Sequence, residues 1–321
     1  MLNYSVVIRT LGKTGEKYRT LLDSVAKQNI KPVEVLVVIP DGYELPPEQL
    51  GYERFVRGEK GMLRQRIIGA KEAQGEYILF LDDDLEFEED FVERLYEPIR
   101  NGIADASFPP LFSFLPPKKG FRKIIPQLSR SAVPLRDKTY YTKILKSGGW
   151  AYYHFEGEKN VPAYLFAQTA PGTCGFWKRA DFLNIHLEED LWVEDVPYPL
   201  GEDQISYYKL YLSGKKLVCV SDLRYVHLDG GGTSPDRKVK AAYANLRNKY
   251  IFWYKYIYCQ QKNGWGKFCA KAACDYGMFI ALWISRIQAL LQKDNRAVHK
   301  MYKKGLKDGK AYVKALKEQK K

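Results

Sequence analysis

A chain of 321 residues, 45% apolar and 28% charged, has material for one large catalytic domain plus an appendage, which excludes a minimal domain and a disordered chain. The formal net charge of +13 is uneven: Lys293 to Lys321 hold 11 Lys or Arg against 3 Asp or Glu, a net of +8, which leaves +5 for the rest. Five cysteines, at 174, 219, 259, 269 and 274, form no CxxC pair, which excludes a cysteine metal framework and fits a reducing, cytosolic compartment.

In chain order, Ser5 to Ile8 is a short β-branched run, and no signal peptide is expected before it. Glu16 to Gln28 predicts a helix with Tyr18, Leu21, Leu22 and Val25 on one face. Val33 to Ile39 is continuously apolar, as a strand buried on both faces must be, and ends in the turn signal Pro40-Asp41-Gly42. Leu63 to Ala73 predicts a second helix, stopped by Gly75. Tyr77 to Leu81 predicts another buried strand, ending abruptly in Asp82-Asp83-Asp84. Strand alternating with helix implies a parallel sheet with right-handed crossovers, whose ligands bind beyond the carboxyl ends of the strands. Thr10, Asp41 and the three aspartates fall at those ends.

Ser107 to Phe166 is rich in proline, aromatics and lysine without a period, and is expected to be irregular. Pro171 to Trp177 suggests a turn into a strand, and Gly201-Glu202-Asp203 precedes a helix from Gln204 to Leu212. Leu217 to Val220 and Leu223 to His227 are strand-like, and Gly230 to Gly232 is a loop signal. Beyond Arg237 the pattern is helical. No window of about 18 uncharged apolar residues is seen, the nearest approach being Tyr276 to Ile284, so no spanning helix is expected. Val298, Met301, Tyr302, Leu306, Val313 and Leu316 fall on one helical stripe among lysines, and Tyr250 to Tyr258 is dense in aromatics. Both suit an interfacial helix on an anionic membrane surface, and docking of the stripe onto protein would produce the same pattern.

Three consecutive carboxylates after a buried strand repel and raise one another's pKa unless a cation neutralises them. A divalent metal, Mn or Mg, is expected there, because such ions take oxygen ligands together with substrate phosphates. The bland alternative is an acidic turn leading into the acidic stretch Glu86 to Glu93.

These residues resemble those of the family 2 glycosyltransferases, which carry the nucleotide-sugar-binding GT-A fold. The resemblance runs from about Tyr4 to Asp229. Ser5-Val6-Val7-Ile8-Arg9-Thr10 is similar to the family's opening strand, with Arg9 where proline is usual. Asp23-Ser24-Val25 followed by Gln28 matches the first helix, and Val37 to Gly42 the second strand, with Pro40 in place of one acid. Arg66, Gly69, Ala73, Gly75, Tyr77 and then Phe80-Leu81-Asp82 follow the most regular stretch, with Ile67 where asparagine is usual.

The resemblance implies a GT-A-like α/β domain over 1–236, with a nucleotide-binding half (1–106) and an acceptor-binding half (107–236), plus a basic helical extension over 237–321. It implies donor contacts from Thr10, Asp41, Arg66, Asp82 and Asp83, with Asp84 and Asp82 on the metal and His227 as a further ligand. By the same match Asp203 is the general base and Glu202 orients it or the acceptor; Glu194 and Asp195 are a backup pair. Trp150, Tyr153 and Trp177 are candidates to stack on an acceptor sugar. The implied reaction is inverting transfer of a hexose-type sugar from a UDP- or dTDP-linked donor to a glycan or lipid-linked acceptor, as in cell-surface polysaccharide synthesis. The expected location is cytoplasmic, peripheral on the inner face of the membrane. One rival is a sugar-phosphate nucleotidylyltransferase, for which Gly12-Lys13-Thr14 is a weak phosphate loop. Another is a non-catalytic nucleic-acid- or membrane-binding protein; nucleic acid leaves the acidic cluster unexplained.

Overall fold

The computed structural model describes residues 2–112, 124–229 and 234–319. In chain order the first elements are β1 (Tyr4–Arg9), α1 (Glu16–Lys27), β2 (Glu34–Pro40), β3 (Arg54–Gly58), α2 (Met62–Glu72), β4 (Tyr77–Asp82), β5 (Leu85–Phe87), α3 (Phe91–Arg100) and β6 (Ala106–Phe108). Next come α4 (Ile124–Leu128), β7 (Ala132–Pro134), β8 (Tyr140–Ile144), β9 (Trp150–Tyr152), β10 (Tyr164–Ala167), β11 (Cys174–Lys178) and α5 (Arg179–Asn184). After 3-10 turns over Leu187–Glu194 follow α6 (Glu202–Leu212), β12 (Leu217–Val220) and β13 (Tyr225–His227). Three helices close the chain: α7 (Pro235–Phe252), which runs into a π-helical segment Trp253–Tyr258, then α8 (Gly264–Leu291) and α9 (Asn295–Glu318).

The chain divides into two compact units. The first comprises residues 1–114, 155–192 and 202–231 and the second 115–154, 193–201 and 232–321. Residues 115–154 and 193–201 group with the C-terminal helices in the second unit.

The sheet of the first unit runs β3-β2-β1-β4-β11-β6-β12-β10. The pairs β3–β2, β2–β1, β1–β4 and β6–β12 are parallel, whereas β11 runs antiparallel to both of its neighbours. This is the mostly parallel α/β sheet expected, and the strand order explains the placement of the site. The chain leaves β1 toward β2 and β3, then returns through α2 to β4 on the other side of β1. A crevice opens at such a reversal, beyond the carboxyl ends of β1 and β4. Tyr18, Leu21, Leu22 and Val25 of α1 are buried against Val6, Ile8, Leu79 and Leu81 in one apolar cluster. Gly69 on α2 lets helix and sheet approach: a Cβ there would lie 2.3 Å from a methyl of Val7. The strand β3, Arg54–Gly58, has no counterpart among the predicted elements. Its two arginines in five residues, on a half-exposed edge, hide the apolar signal.

In the second unit α7 and α9 pack along each other. Gly305 and Gly309 face the α7 backbone at Tyr243 and Arg247. Val298, Leu306 and Val313 of the apolar stripe are buried inside the unit, while Met301, Tyr302 and Leu316 are partly exposed. Trp253, Tyr256 and Ile257 of the aromatic stretch are buried as well. By length and composition α8, at 28 residues, is long and apolar enough to cross a membrane, although it holds no window of about 18 uncharged apolar residues. The sequence disguised it by spacing Lys271, Asp275 and Arg286 along an otherwise apolar run. Part of the irregular region, 113–123, and residues 230–233, which include the glycine run, lie outside the described residues; in the rest of that region β9 pairs with β7 in parallel and with β8 antiparallel.

Candidate donor and metal site

The rim begins with backbone register. In the parallel pair β1–β4, Arg9 lies opposite Asp82, so the last side chains of the two strands meet. Arg9 grips Asp82 with two hydrogen bonds, Nε to Oδ1 at 2.6 Å and NH2 to Oδ2 at 3.0 Å. A second guanidinium, Arg66 from α2, reaches the same Oδ1 at 3.4 Å and donates to the Gly172 carbonyl. Both arginines also meet Glu202 at the start of α6, Arg66 at 3.0 Å and Arg9 at 3.5 Å. Burial opposes the Arg9 charge, but the attraction of Asp82, Glu202 and Asp83 outweighs it, so its pKa is raised. Two arginines and two carboxylates therefore form a buried, mutually neutralised cluster. Breaking such a cluster by removing one member is costly, because the partner charges stay buried.

Asp83 turns toward the loop after β1 and accepts hydrogen bonds from Thr10, at 2.5 Å, and from Thr14. Burial raises its pKa in spite of these two donors. Asp84 is only 7% exposed, and its Oδ2 lies 3.0 Å from His227 Nε2. That contact is built by the ribbon β5–β13, whose register sets His227 opposite Leu85, and by a hydrogen bond from the Leu228 amide to the Asp84 carbonyl at 2.8 Å. The hydrogen bond to Asp84 raises the pKa of His227.

Asp203 stands at the start of α6 beside Glu202, which accepts its amide at 2.9 Å. Desolvation, and next the Glu202 charge, raise its pKa from 3.8 to about 7. Gly172 makes room for it: a Cβ there would lie 2.5 Å from the Asp203 Cβ. The Asp82 amide donates to the Thr173 carbonyl at 2.9 Å, which ties the end of β4 to the same loop.

Thr10, Arg66, Asp82, Asp83, Asp84, Glu202, Asp203 and His227 thus gather at one end of the sheet. Asp41 is exposed at the end of β2, its amide bonded to Gly58 at 2.9 Å. Asp82 accepts from Arg9 on both oxygens and so is part of the arginine cluster. Two of the aromatic assignments change. Trp177 is 2% exposed and packs against Phe80, Phe182 and Tyr207, so it belongs to the core and offers no face to an acceptor. Tyr153 is buried as well, under Lys138, while Trp150 is half-buried on β9. Glu194 and Asp195, the backup pair, fall around the 3-10 turn that ends at Glu194, apart in sequence from the α6 acids. Three participants were missed: Arg9, Thr14 and Gly172. Arg9 had one visible signal, a charge ending an otherwise buried strand where proline is usual.

Among the described residues no group of three His, Cys, Asp or Glu forms a ready metal cage. The Asp84–His227 pair still fits a Mn or Mg ion, since its nitrogen and oxygen donors converge on a half-buried rim and such ions complete their shells with water and substrate phosphates.

A mostly parallel sheet with an acidic rim at its topological switch defines this as a GT-A-type nucleotide-sugar transferase fold. Residues 5–160 match the model of glycosyl transferase family 2. The solved structure of GalNAc-T7 with UDP, GalNAc and Mn2+ is similar at a TM-score of 0.51 and 16% identity, over 87% of this chain and 55% of that one. The chain thus spans about half the length of that protein. The mannosyltransferase PcManGT from Pyrobaculum calidifontis, in complex with GDP-Man and Mn2+, is similar over 95% of this chain and 85% of that one, at 15% identity and a TM-score of 0.49. No curated protein matches the chain.

Proposed function

We propose that the chain transfers a hexose-type sugar from a nucleoside diphosphate donor to an acceptor hydroxyl, with inversion and with the help of a divalent metal. One observation carries this: Arg66 joins Asp82, the last residue of β4, to Glu202 at the start of α6, and Glu202 accepts the amide of Asp203. One arginine thereby holds a candidate donor-side acid and the carboxylate that positions the candidate base. Such fixed geometry is what a displacement at a sugar carbon requires.

Asp84 and His227 would hold the metal, which when bound neutralises charge on a departing diphosphate. Asp203 would accept the proton of the acceptor hydroxyl. A base works best with a pKa near the operating pH, and burial brings Asp203 to about 7. Glu202, neutralised by the arginines, orients Asp203 through its amide. Thr10 and Asp83, bonded to each other, and Asp41 lie at the ends of β1, β4 and β2, where a nucleoside would rest. The UDP and Mn2+ in the GalNAc-T7 structure make UDP donors and Mn the first to test. The acceptor is proposed as a glycan or a lipid-linked glycan.

The test is a screen of UDP-, dTDP- and GDP-sugars for hydrolysis and transfer with Mn or Mg. Metal-dependent turnover is expected, lost in Asp84→Asn. In Asp203→Asn donor binding should survive while transfer is lost. Equal turnover in chelator, or a fully active Asp84→Asn enzyme, would refute the proposal.

A further inference from the structure

We infer that the exposed face of α8 lies in the plane of an anionic lipid surface and docks the protein there. The face is unusual for a helix in water. Trp265 is 73% exposed, Phe268 61% and Leu291 78%, and Tyr276, Phe279, Trp283, Ile287 and Leu290 are exposed beside them. At ~100° per residue, Trp265 to Leu290 fall within an arc of roughly 100°, and the stripe is about 38 Å long. The opposite side of the helix is spent on packing through Ala270, Cys274, Gly277, Met278, Ser285 and Ala289. Five of the eight exposed residues are aromatic, the types that favour the boundary between lipid and water.

Charge names the occupant. Residues 232–321 hold 21 Lys or Arg against 5 Asp or Glu, a net of +16, so the rest of the chain carries −3. On α8 the exposed charges are Lys267, Lys271, Asp275 and Arg286, and the one acid is paired with Lys271. A second copy would bring another +16 against the same face, and like charges repel. An anionic leaflet attracts both the lysines and the aromatic stripe.

The helix lies flat rather than spanning. Although α8 is long and apolar enough to cross a bilayer, α9 packs against it, with Ser285 bonded to His299 at 2.7 Å. Lys300, Lys303, Lys304, Lys307 and Lys310 of α9 are exposed. A spanning α8 would carry them into hydrocarbon, where charged side chains are costly. This surface belongs to the helical unit and does not depend on the sugar-transfer proposal.

The experiment is flotation of the full chain with vesicles of phosphatidylcholine alone or mixed with phosphatidylglycerol. Binding about tenfold or more tighter to the anionic vesicles is expected, weakened by salt. Phe279→Ser with Trp283→Ser should reduce partition about tenfold or more while leaving the melting temperature and soluble-donor hydrolysis unchanged. Brominated lipids should quench the tryptophan emission of the unaltered protein, which keeps the test decisive if the double variant misfolds. Equal partition of native protein and a folded double variant, absence of quenching, or a lipid-free dimer that the two substitutions dissolve would each overturn the inference. Protease protection across the bilayer would overturn its in-plane geometry.

Discussion

Replacing Asp203 by Asn makes an isosteric change whose effects on activity and stability should have opposite signs. Burial and Glu202 lift the Asp203 pKa from 3.8 to about 7. Each unit is worth ~1.4 kcal/mol, so the ionised carboxylate costs the fold at most about 4 kcal/mol. The direction follows from proton binding. Between pH 3.8 and about 7 the folded chain holds this proton and the unfolded chain does not. Stability from this group is therefore present at low pH and is lost as pH rises through about 7. The neutral amide of the variant carries no such loss, and its oxygen can still accept the Gln204 amide that Asp203 accepts at 2.8 Å. The lost interaction of an acid with the helix N-terminus offsets about 0.3–1 kcal/mol of the gain. Denaturant titrations at pH 3 and pH 8 should show the Asn variant ahead only at the higher pH, by a few kcal/mol. Transfer should fall about 100-fold or more, with donor binding retained. Native transfer should rise with pH through about 7 as the base ionises. A variant less stable than the native chain at pH 8, or one with native transfer rates, would refute the reasoning.

Four further outcomes are expected. Gly172→Ala should keep the fold but push Asp203 aside, lowering transfer about 10–100-fold, as a misplacement near 1 Å does, without changing metal affinity by calorimetry. Arg9→Met should leave Asp82 and Glu202 short of a partner and cost about 3–5 kcal/mol in denaturant, with Arg9→Lys recovering only part; an unchanged midpoint would contradict the ion-pair geometry. His227→Ala should weaken Mn binding by a factor on the order of 10–100, measured by calorimetry. Because Asp84 raises the His227 pKa and a ligand must be neutral, native Mn affinity should fall as pH drops through a value above 6.5, and pH-independent affinity would exclude His227 from the shell.

Much of the first unit was legible because its signals are local. The apolar runs ending at Pro40 and Asp82 became β2 and β4, and the stripe from Tyr18 to Val25 became the buried face of α1. What was illegible is non-local. Nothing in Ser5-Val6-Val7-Ile8-Arg9 says that Arg9 faces Asp82, because that depends on the β1–β4 register. Trp177 was misjudged for the converse reason: an aromatic beside a glycine turn suits a sugar platform as well as a core, and only the neighbours Phe80, Phe182 and Tyr207 decide. The stripe on α9 had two possible partners, and α7 took it. The apolar face of α8 escaped notice because a window that rejects charges rejects Lys271, Asp275 and Arg286, although at about 100° per residue Lys271 falls outside the apolar arc and Asp275 and Arg286 fall at its edge.

The rim also changes the argument from charge that first pointed to a metal. Three adjacent carboxylates need neutralising, but the protein does most of it. Asp82 is held by two arginines, and Asp83 is solvated by two threonine hydroxyls with its proton affinity raised by burial. Only Asp84 is left, and its partner is a histidine whose proton it helps to hold. The cluster as a whole is therefore no argument for a cation, whereas this one pair is. Asp84 and the neutral ring of His227 would hold a divalent ion, and the pair, balanced when the ring is protonated, would then carry one net positive charge. That gained charge is what a diphosphate would meet, and Arg9, absorbed by Asp82 and Glu202, would add nothing to it. Arg9 thus ties Asp82 at the end of β4 to Glu202 at the start of α6.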